Sequence, residues 1–142
     1  MKNNQISIKG IEQGRANFAY KKVRKVLDEK DKKYNEKKYK SYVKKIPMLI
    51  KTNGLGSTLA YIKSKINSKN DDGKVYGLIY KHITEWLEAD EKRLIDVSDD
   101  LVQIIISLNS SEYRAVTNEV LSLLNWLCRF ADGLIEGEAD DN

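Results

Sequence analysis

The sequence predicts an all-α protein, a compact bundle of about five to six helices in a single domain. Three observations predict it. Apolar residues recur at spacings of three and four almost throughout the 142 residues, which is the period of an amphipathic helix. A single proline (Pro47) and eight glycines punctuate the chain, whereas a sandwich or barrel needs a turn cluster every ~8–12 residues. Hydrophobic residues make up 41% and charged residues 32%, enough apolar mass for a modest core. No internal repeat and no linker divides the chain. The domain is therefore expected to span 1–142, with 1–9 and 136–142 fraying.

The first helix is expected from about Ile11 to Asp31, with Ala16, Ala19, Tyr20, Val23 and Leu27 on one face and Arg15, Lys22 and Lys25 on its flank. The second runs from about Glu36 to Thr52. Tyr39, Tyr42, Val43, Ile46, Leu49 and Ile50 form its buried stripe. A separate line of Lys37, Lys40, Lys44 and Lys51 follows the same period, with Lys38 and Lys45 beside it. Pro47 lacks a backbone donor and clashes with the preceding turn, so it should kink or restart this helix. Asn53-Gly54 supplies the left-handed conformation that closes it. A third helix follows at once on the seam Leu55, Leu59, Ile62 and Ile66.

Asn67 to Gly73 is polar and reads as a surface loop. A fourth helix, about Lys74 to Glu88, buries Val75, Ile79, Ile83, Trp86 and Leu87. Ser98 or Asp99 can cap a short helix with the face Leu101, Ile104, Ile105 and Leu108, although its β-branched composition also fits a strand. In the last helix Asn109 and Glu112 resemble a capping box, with Ser110 or Ser111 as alternative caps. Tyr113, Val116, Val120, Leu124, Leu127, Ala131 and Leu134 line its inner face, and Gly133 and Gly137 allow it to end.

The formal net charge of +4 conceals a division. Residues 1–82 hold 21 Lys or Arg against 7 Asp or Glu, whereas residues 83–142 hold 4 against 14. A basic front suggests a polyanion partner and an acidic back suggests a protein neighbour. The plainer alternative is base composition, since lysine outnumbers arginine 20 to 5 and solvated helix faces absorb lysines. Met1 to Gln5 carries no apolar segment of a signal peptide, and Leu101–Leu108 is far short of the ~20 residues of a spanning helix. A lone cysteine, Cys128, forms no intramolecular disulfide and reads as a buried inert thiol, so the chain reads as soluble and cytoplasmic.

No catalytic constellation is visible. His82 is the only histidine, which excludes a paired-histidine zinc site or acid–base pair, and a structural or surface role is expected for it. Asp71-Asp72, Asp99-Asp100 and Asp140-Asp141 are explained by a turn, a helix N-terminus and a tail rather than by magnesium. Gly54-Leu55-Gly56-Ser57-Thr58 lacks the Gly-Lys-Ser/Thr ending of a phosphate loop and reads as a tight helix corner. The residues call for no metal, no cofactor and no small-molecule substrate. Binding is better supported, because lines of lysine can follow a phosphate backbone without reading sequence. Tyr20, Tyr61 and Tyr80 are available in principle for stacking on unpaired bases, although helical tyrosines are more often core residues.

Three stretches carry a resemblance. Glu12-Gln13-Gly14-Arg15-Ala16 opens the first helix. Lys44-Lys45-Ile46-Pro47-Met48-Leu49-Ile50 leads into Asn53-Gly54-Leu55-Gly56-Ser57-Thr58-Leu59-Ala60-Tyr61. Glu112-Tyr113-Arg114-Ala115-Val116-Thr117 leads into Glu119, Trp126-Leu127 and Arg129-Phe130-Ala131. In order and spacing, from about residue 11 to 135, these resemble the small helical subunit of the type III-B CRISPR effector, the Cmr RAMP-module complex. The stretch between Asn67 and Asn109 carries little of the likeness.

The resemblance implies a non-catalytic subunit of antiviral defence that stacks beside the crRNA-bearing filament and lines the groove where target RNA pairs with the guide. The implied partners are RAMP-type filament subunits, the large subunit, neighbouring copies of the chain and the crRNA–target RNA duplex. Target cleavage would belong to the backbone subunits. Of the matching positions, Arg15, Lys45 and Arg114 are expected to meet RNA or a neighbour's carboxylate, while Gly54 serves the corner and Trp126 and Leu127 the core. With the stripe lysines, the expected nucleic-acid-binding set is Arg15, Lys22, Lys25, Lys37, Lys40, Lys44, Lys45, Lys51 and Arg114. The rival reading is a structural adaptor in which the lysines only solubilise the chain.

Overall fold

A computed structural model describes residues 8–29, 35–68, 70–89, 95–96 and 99–137. Among them six helices are formed and no strand: α1 (Ile8–Asp28), α2 (Glu36–Asn53), α3 (Leu55–Ile66), α4 (Asp71–Ala89), α5 (Leu101–Ile106) and α6 (Ser110–Leu134). The fold class is therefore the one the apolar period predicts. The β-branched 101–106 segment is helical, because Leu101 and Ile105 fall one turn apart and both enter the core. Ser98, Asp140 and Asp141, together with most of the two ends expected to fray, lie outside the described residues.

The 25 residues of α6 run about 37 Å at 1.5 Å per residue, long enough to serve both α1 and α2 as a spine. The helix begins at Asn109, whose Oδ1 accepts from Glu112 N at 2.9 Å, so the asparagine and neither serine is the cap. Val116, Val120, Leu123, Leu124, Leu127 and Ala131 are buried along it. On the other side α3 packs against α4, α2 touches both, and α5 rests on α3. On α1 the buried positions are Ala19, Val23 and Val26; Ala16 and Leu27 are only half-buried, and Tyr20 is 44% exposed with its ring edge-on to Phe130. No helix among the described residues is long and apolar enough to cross a membrane.

The chain between α3 and α4 is shorter than its composition suggests. Asn70 Oδ1 accepts from Gly73 N at 3.1 Å and caps the helix, so Asp71 and Asp72 form the first turn of α4 instead of a loop. Carboxylates there complement the helix dipole. Lys38 reaches Asp72 at 2.7 Å and Tyr42 Oη donates to it at 2.8 Å, and these bonds hold the Asp72 carboxyl below its ordinary range. Gly73 is obligatory at this corner, since a Cβ there would collide with the carbonyl oxygen of Ser68.

Pro47 does not interrupt α2, which is helical from Glu36 to Asn53. The missing N–H of Pro47 would have bonded the carbonyl of Val43, four residues earlier. Cys128 of α6 takes its place, with Sγ donating to Val43 O at 2.9 Å. The thiol is thus half-buried and hydrogen-bonded, and burial pushes it up to about 11. At the far end Gly54 adopts φ +90°, and the hydroxyl of Tyr113 on α6 accepts from Gly56 N at 2.8 Å, capping the start of α3.

Two buried polar contacts complete the packing. His82 is 2% exposed, and its Nδ1 lies 2.9 Å from Tyr39 Oη. Burial, assisted by nearby Lys22, depresses the imidazole to about 3, so it is neutral in the folded protein. Arg15 of α1 makes a two-pronged bond to Glu119 of α6, Nε to Oε2 at 2.6 Å and Nη2 to Oε1 at 2.8 Å. Trp86 Nε1 of α4 donates to the same Oε2 at 2.9 Å, so one carboxylate joins three helices.

These contacts generate three measurable expectations. Arg15→Met and Glu119→Gln, with their double variant, should give a coupling energy of about 1–3 kcal/mol in urea unfolding; coupling below ~0.5 kcal/mol would show that the pair is incidental. Cys128→Ala should cost about 1–2 kcal/mol in the wild-type chain and much less in Pro47→Ala, which restores the backbone donor to Val43. Unfolded His82 protonates near 6.5 and folded His82 near 3, so the unfolded chain binds the extra proton between those values and stability falls as pH drops through them. Unfolding free energy at pH 5 should be about 2 kcal/mol lower than at pH 7, and equal values would contradict a neutral buried ring.

Candidate nucleic-acid interface

The nine cations expected to bind nucleic acid separate into two groups. Four have acceptors within the chain. Arg15 is held by Glu119, with side-chain exposures of 19% and 11% for the pair. Lys22 reaches Glu85 at 2.9 Å and lies over the Phe18 ring. Lys40 Nζ donates to Ile135 O at 3.1 Å and Gly137 O at 2.7 Å, so it closes the carboxyl end of α6, where a cation suits both orphan carbonyls and the dipole. Lys44 meets Asp132 at 3.3 Å, with both groups about half exposed.

The other five, Lys25, Lys37, Lys45, Lys51 and Arg114, are exposed and have no carboxylate of their own chain within salt-bridge distance among the described residues. Lys45 lies over the Tyr42 ring, which fixes its stem while leaving the ammonium exposed. Of the tyrosines, Tyr80 is unavailable for stacking: it is buried and its hydroxyl donates to Asp100 at 2.8 Å and accepts from Val102 N at 3.1 Å. Tyr20 and Tyr61 remain exposed at 44% and 38%.

One groove gathers part of the set. Lys44, Pro47 and Lys51 of α2 face Leu121, Ser122, Asn125 and Cys128 of α6 across about 500 Å³. Positions 44, 47 and 51 share one helix face at spacings of three and four, so the two lysines sit about 10 Å apart along the axis. The groove can hold an extended polyanion on polar walls and two ammoniums. Its thiol is no nucleophile, because Cys128 stays protonated and donates to Val43. Sequence reasoning missed the α6 wall, because Ser122 and Asn125 carry no charge and only the α2·α6 packing brings them opposite the lysines.

Asp71, Asp99, Asp100 and His82, the described side chains weighed for catalysis, have structural partners. Asp71 accepts from Asn35 N at 3.1 Å, Asp99 from Asp100 N at 2.7 Å, and Asp100 from Lys63 at 3.0 Å. His82 is enclosed against Tyr39.

The three stretches that carry the resemblance also touch one another. Arg15 and Glu119 join the first to the third, and Gly56 and Tyr113 join the second to the third. Residues 11–134 match the family model described as CRISPR-associated protein (Cas_Cmr5). A relative from Thermus thermophilus, named CRISPR system Cmr subunit Cmr5, is 31% identical over 126 residues, covering 85% of this chain and 92% of its own. The crystal structure of a CRISPR-associated Cmr5 family protein from the same organism superposes with a TM-score of 0.65 at 25% identity, covering 88% of this chain and 96% of that one. Matched over most of its length in sequence and in fold, the chain belongs to the Cmr5 family of CRISPR-associated proteins.

Proposed function

We propose that the chain is a non-catalytic small subunit of a type III-B RNA-guided effector, stacking along the crRNA-bearing filament and presenting a basic surface to target RNA. The observation that carries the RNA role is the set of outward-facing cations with no carboxylate within salt-bridge distance among the described residues, above all Lys45 and Lys51 on α2. A polyanion would complete their charge and release its own counterions. Lys44 joins them by exchanging its half-exposed contact with Asp132 for a phosphate, while Lys25, Lys37 and Arg114 extend the surface. Arg15, Lys22 and Lys40 act through the fold, by holding the helices that display the rest. The non-catalytic reading is supported by the structural partners of His82, Cys128 and the aspartates. Its partners in this reading are the RAMP-type subunits, the large subunit, neighbouring copies and the crRNA–target duplex, in the cytoplasm.

A second reading, a protein adaptor without RNA contact, is favoured by the surface around α5. Ile106 is 65% exposed, and a nearby groove is edged by Asp96, Asp99 and Glu112 around Ile104 and Leu108. An apolar strip rimmed by acids suits a basic protein neighbour.

Charge reversal separates the two. Lys45→Glu with Lys51→Glu, in the assembled complex, should weaken target-RNA binding by roughly tenfold or more at low salt and reduce the salt slope by about one per lost contact. Assembly should be unaffected. Unchanged RNA affinity at every salt concentration, with loss of co-purification instead, would favour the adaptor.

A further inference from the structure

Between α1 and α4 lies a half-enclosed cavity of about 140 Å³ that shares only Lys25 with the proposed RNA-facing surface. Lys22 and Lys25 of α1 and Glu29 just beyond its end line one side, and Lys81, His82 and Glu85 of α4 the other. His82 is its buried member, 2% exposed, and α2 fixes the ring from behind through Tyr39 at Nδ1, with the two rings packed edge to face. Nε2 has no protein partner among the described residues. No side-chain nitrogen or oxygen among them is sealed off without one, so Nε2 opens on the cavity. The tautomer in which Nδ1 accepts from the tyrosine hydroxyl carries the imidazole proton on Nε2 and presents an N–H there.

The charges around the ring favour an anion. Lys22 and Glu85 neutralise each other at 2.9 Å, which leaves Lys25 and Lys81, both exposed, with Glu29. Three ammoniums against two carboxylates make the lining net positive. A cation is disfavoured, since among the described residues no three acidic, histidine or cysteine side chains cluster to hold one. At about 140 Å³ the cavity has room for one phosphate group beside the ring. A phosphodiester must leave on two sides, whereas a phosphate monoester enters with three free oxygens and one link pointing outward.

We propose that this cavity is a binding site for a phosphate monoester, as at the end of a nucleic-acid strand, with His82 Nε2–H and the Lys25 and Lys81 ammoniums as its donors. The site is distinct from the α2–α6 groove and does not depend on the RNA reading of that groove. It gives Lys25 and Lys81 a ligand that charge counting alone does not assign.

His82 is the only histidine, so its imidazole resonances need no assignment. Inorganic phosphate, uridine monophosphate, uridine and chloride are titrated into the ¹⁵N-labelled chain at constant ionic strength, with histidine ring ¹⁵N spectra as the readout. Phosphate and uridine monophosphate should each shift Nε2 saturably, in the tautomer protonated at Nε2, while uridine and chloride leave it unmoved. The surface double variant Lys25→Gln with Lys81→Gln, which leaves the His82–Tyr39 contact in place, should weaken both by about tenfold. A shift by phosphate without uridine monophosphate, an unprotonated Nε2, equal affinity in the double variant, or no shift at all would each overturn the proposal.

Discussion

Glu119 sits where water reaches it poorly, 11% exposed in the middle of the longest helix. A carboxylate in such a place must be satisfied by donors brought from elsewhere, and among the described residues two side chains supply them. Arg15 arrives from α1 with a fork that matches both oxygens, and Trp86 arrives from α4 with its indole N–H. Helices distant in sequence are thereby held at fixed height and rotation against α6, which hydrophobic contact alone, being non-directional, does not specify. The aromatic pair Phe18–Trp86, with ring centroids 5.1 Å apart, packs beside the same bond. The surfaces that face outward depend on this arrangement, because the rotation of α1 decides which of its lysines meet α4 and which meet solvent.

The basic half of the chain is consequently less free than its charge suggests. Lys22, Lys38 and Lys63 cross to carboxylates on or next to α4 and α5, and Lys40 closes the end of α6. The division between a basic front and an acidic back is partly an internal complementarity, in which early helices are electrostatically matched to later ones. What remains for a partner is a smaller set, concentrated where α2 faces outward. Two of the polar contacts, Arg15 with Glu119 and Gly56 with Tyr113, join the three stretches of family likeness to one another.

Most helices were legible because burial imposes a period. Val116, Val120, Leu124 and Leu127 lie on one face whichever partner covers them. Boundaries were less legible where a side chain from another element decided them. Asn70-Asp71-Asp72-Gly73 has the composition of a turn, yet Lys38 and Tyr42 of α2 stabilise those aspartates in a helix. Pro47 has the local signature of a break, but the thiol of Cys128, far along the chain, takes the place of the missing donor. For the candidate site, the lysine line on α2 was readable from spacing alone. Which lysines were committed internally was not, because the pairing acids lie on other helices.

The sequence by itself determined the all-α class, the apolar stripes of the five longer helices and the corner at Gly54, since each follows from periodicity or from the φ a single residue can adopt, whereas the helical state of 101–106 and the choice of Asn109 as cap came from the structure. It also carried the family likeness, because those motifs are contiguous in the chain. Only the tertiary structure decided that Arg15 serves the fold, that Pro47 is tolerated, that His82 is buried neutral beside a cationic cavity, and which lysines face outward. Those outcomes rest on pair contacts between residues tens of positions apart, and electrostatic and hydrogen-bond energies depend on distances that no local pattern encodes.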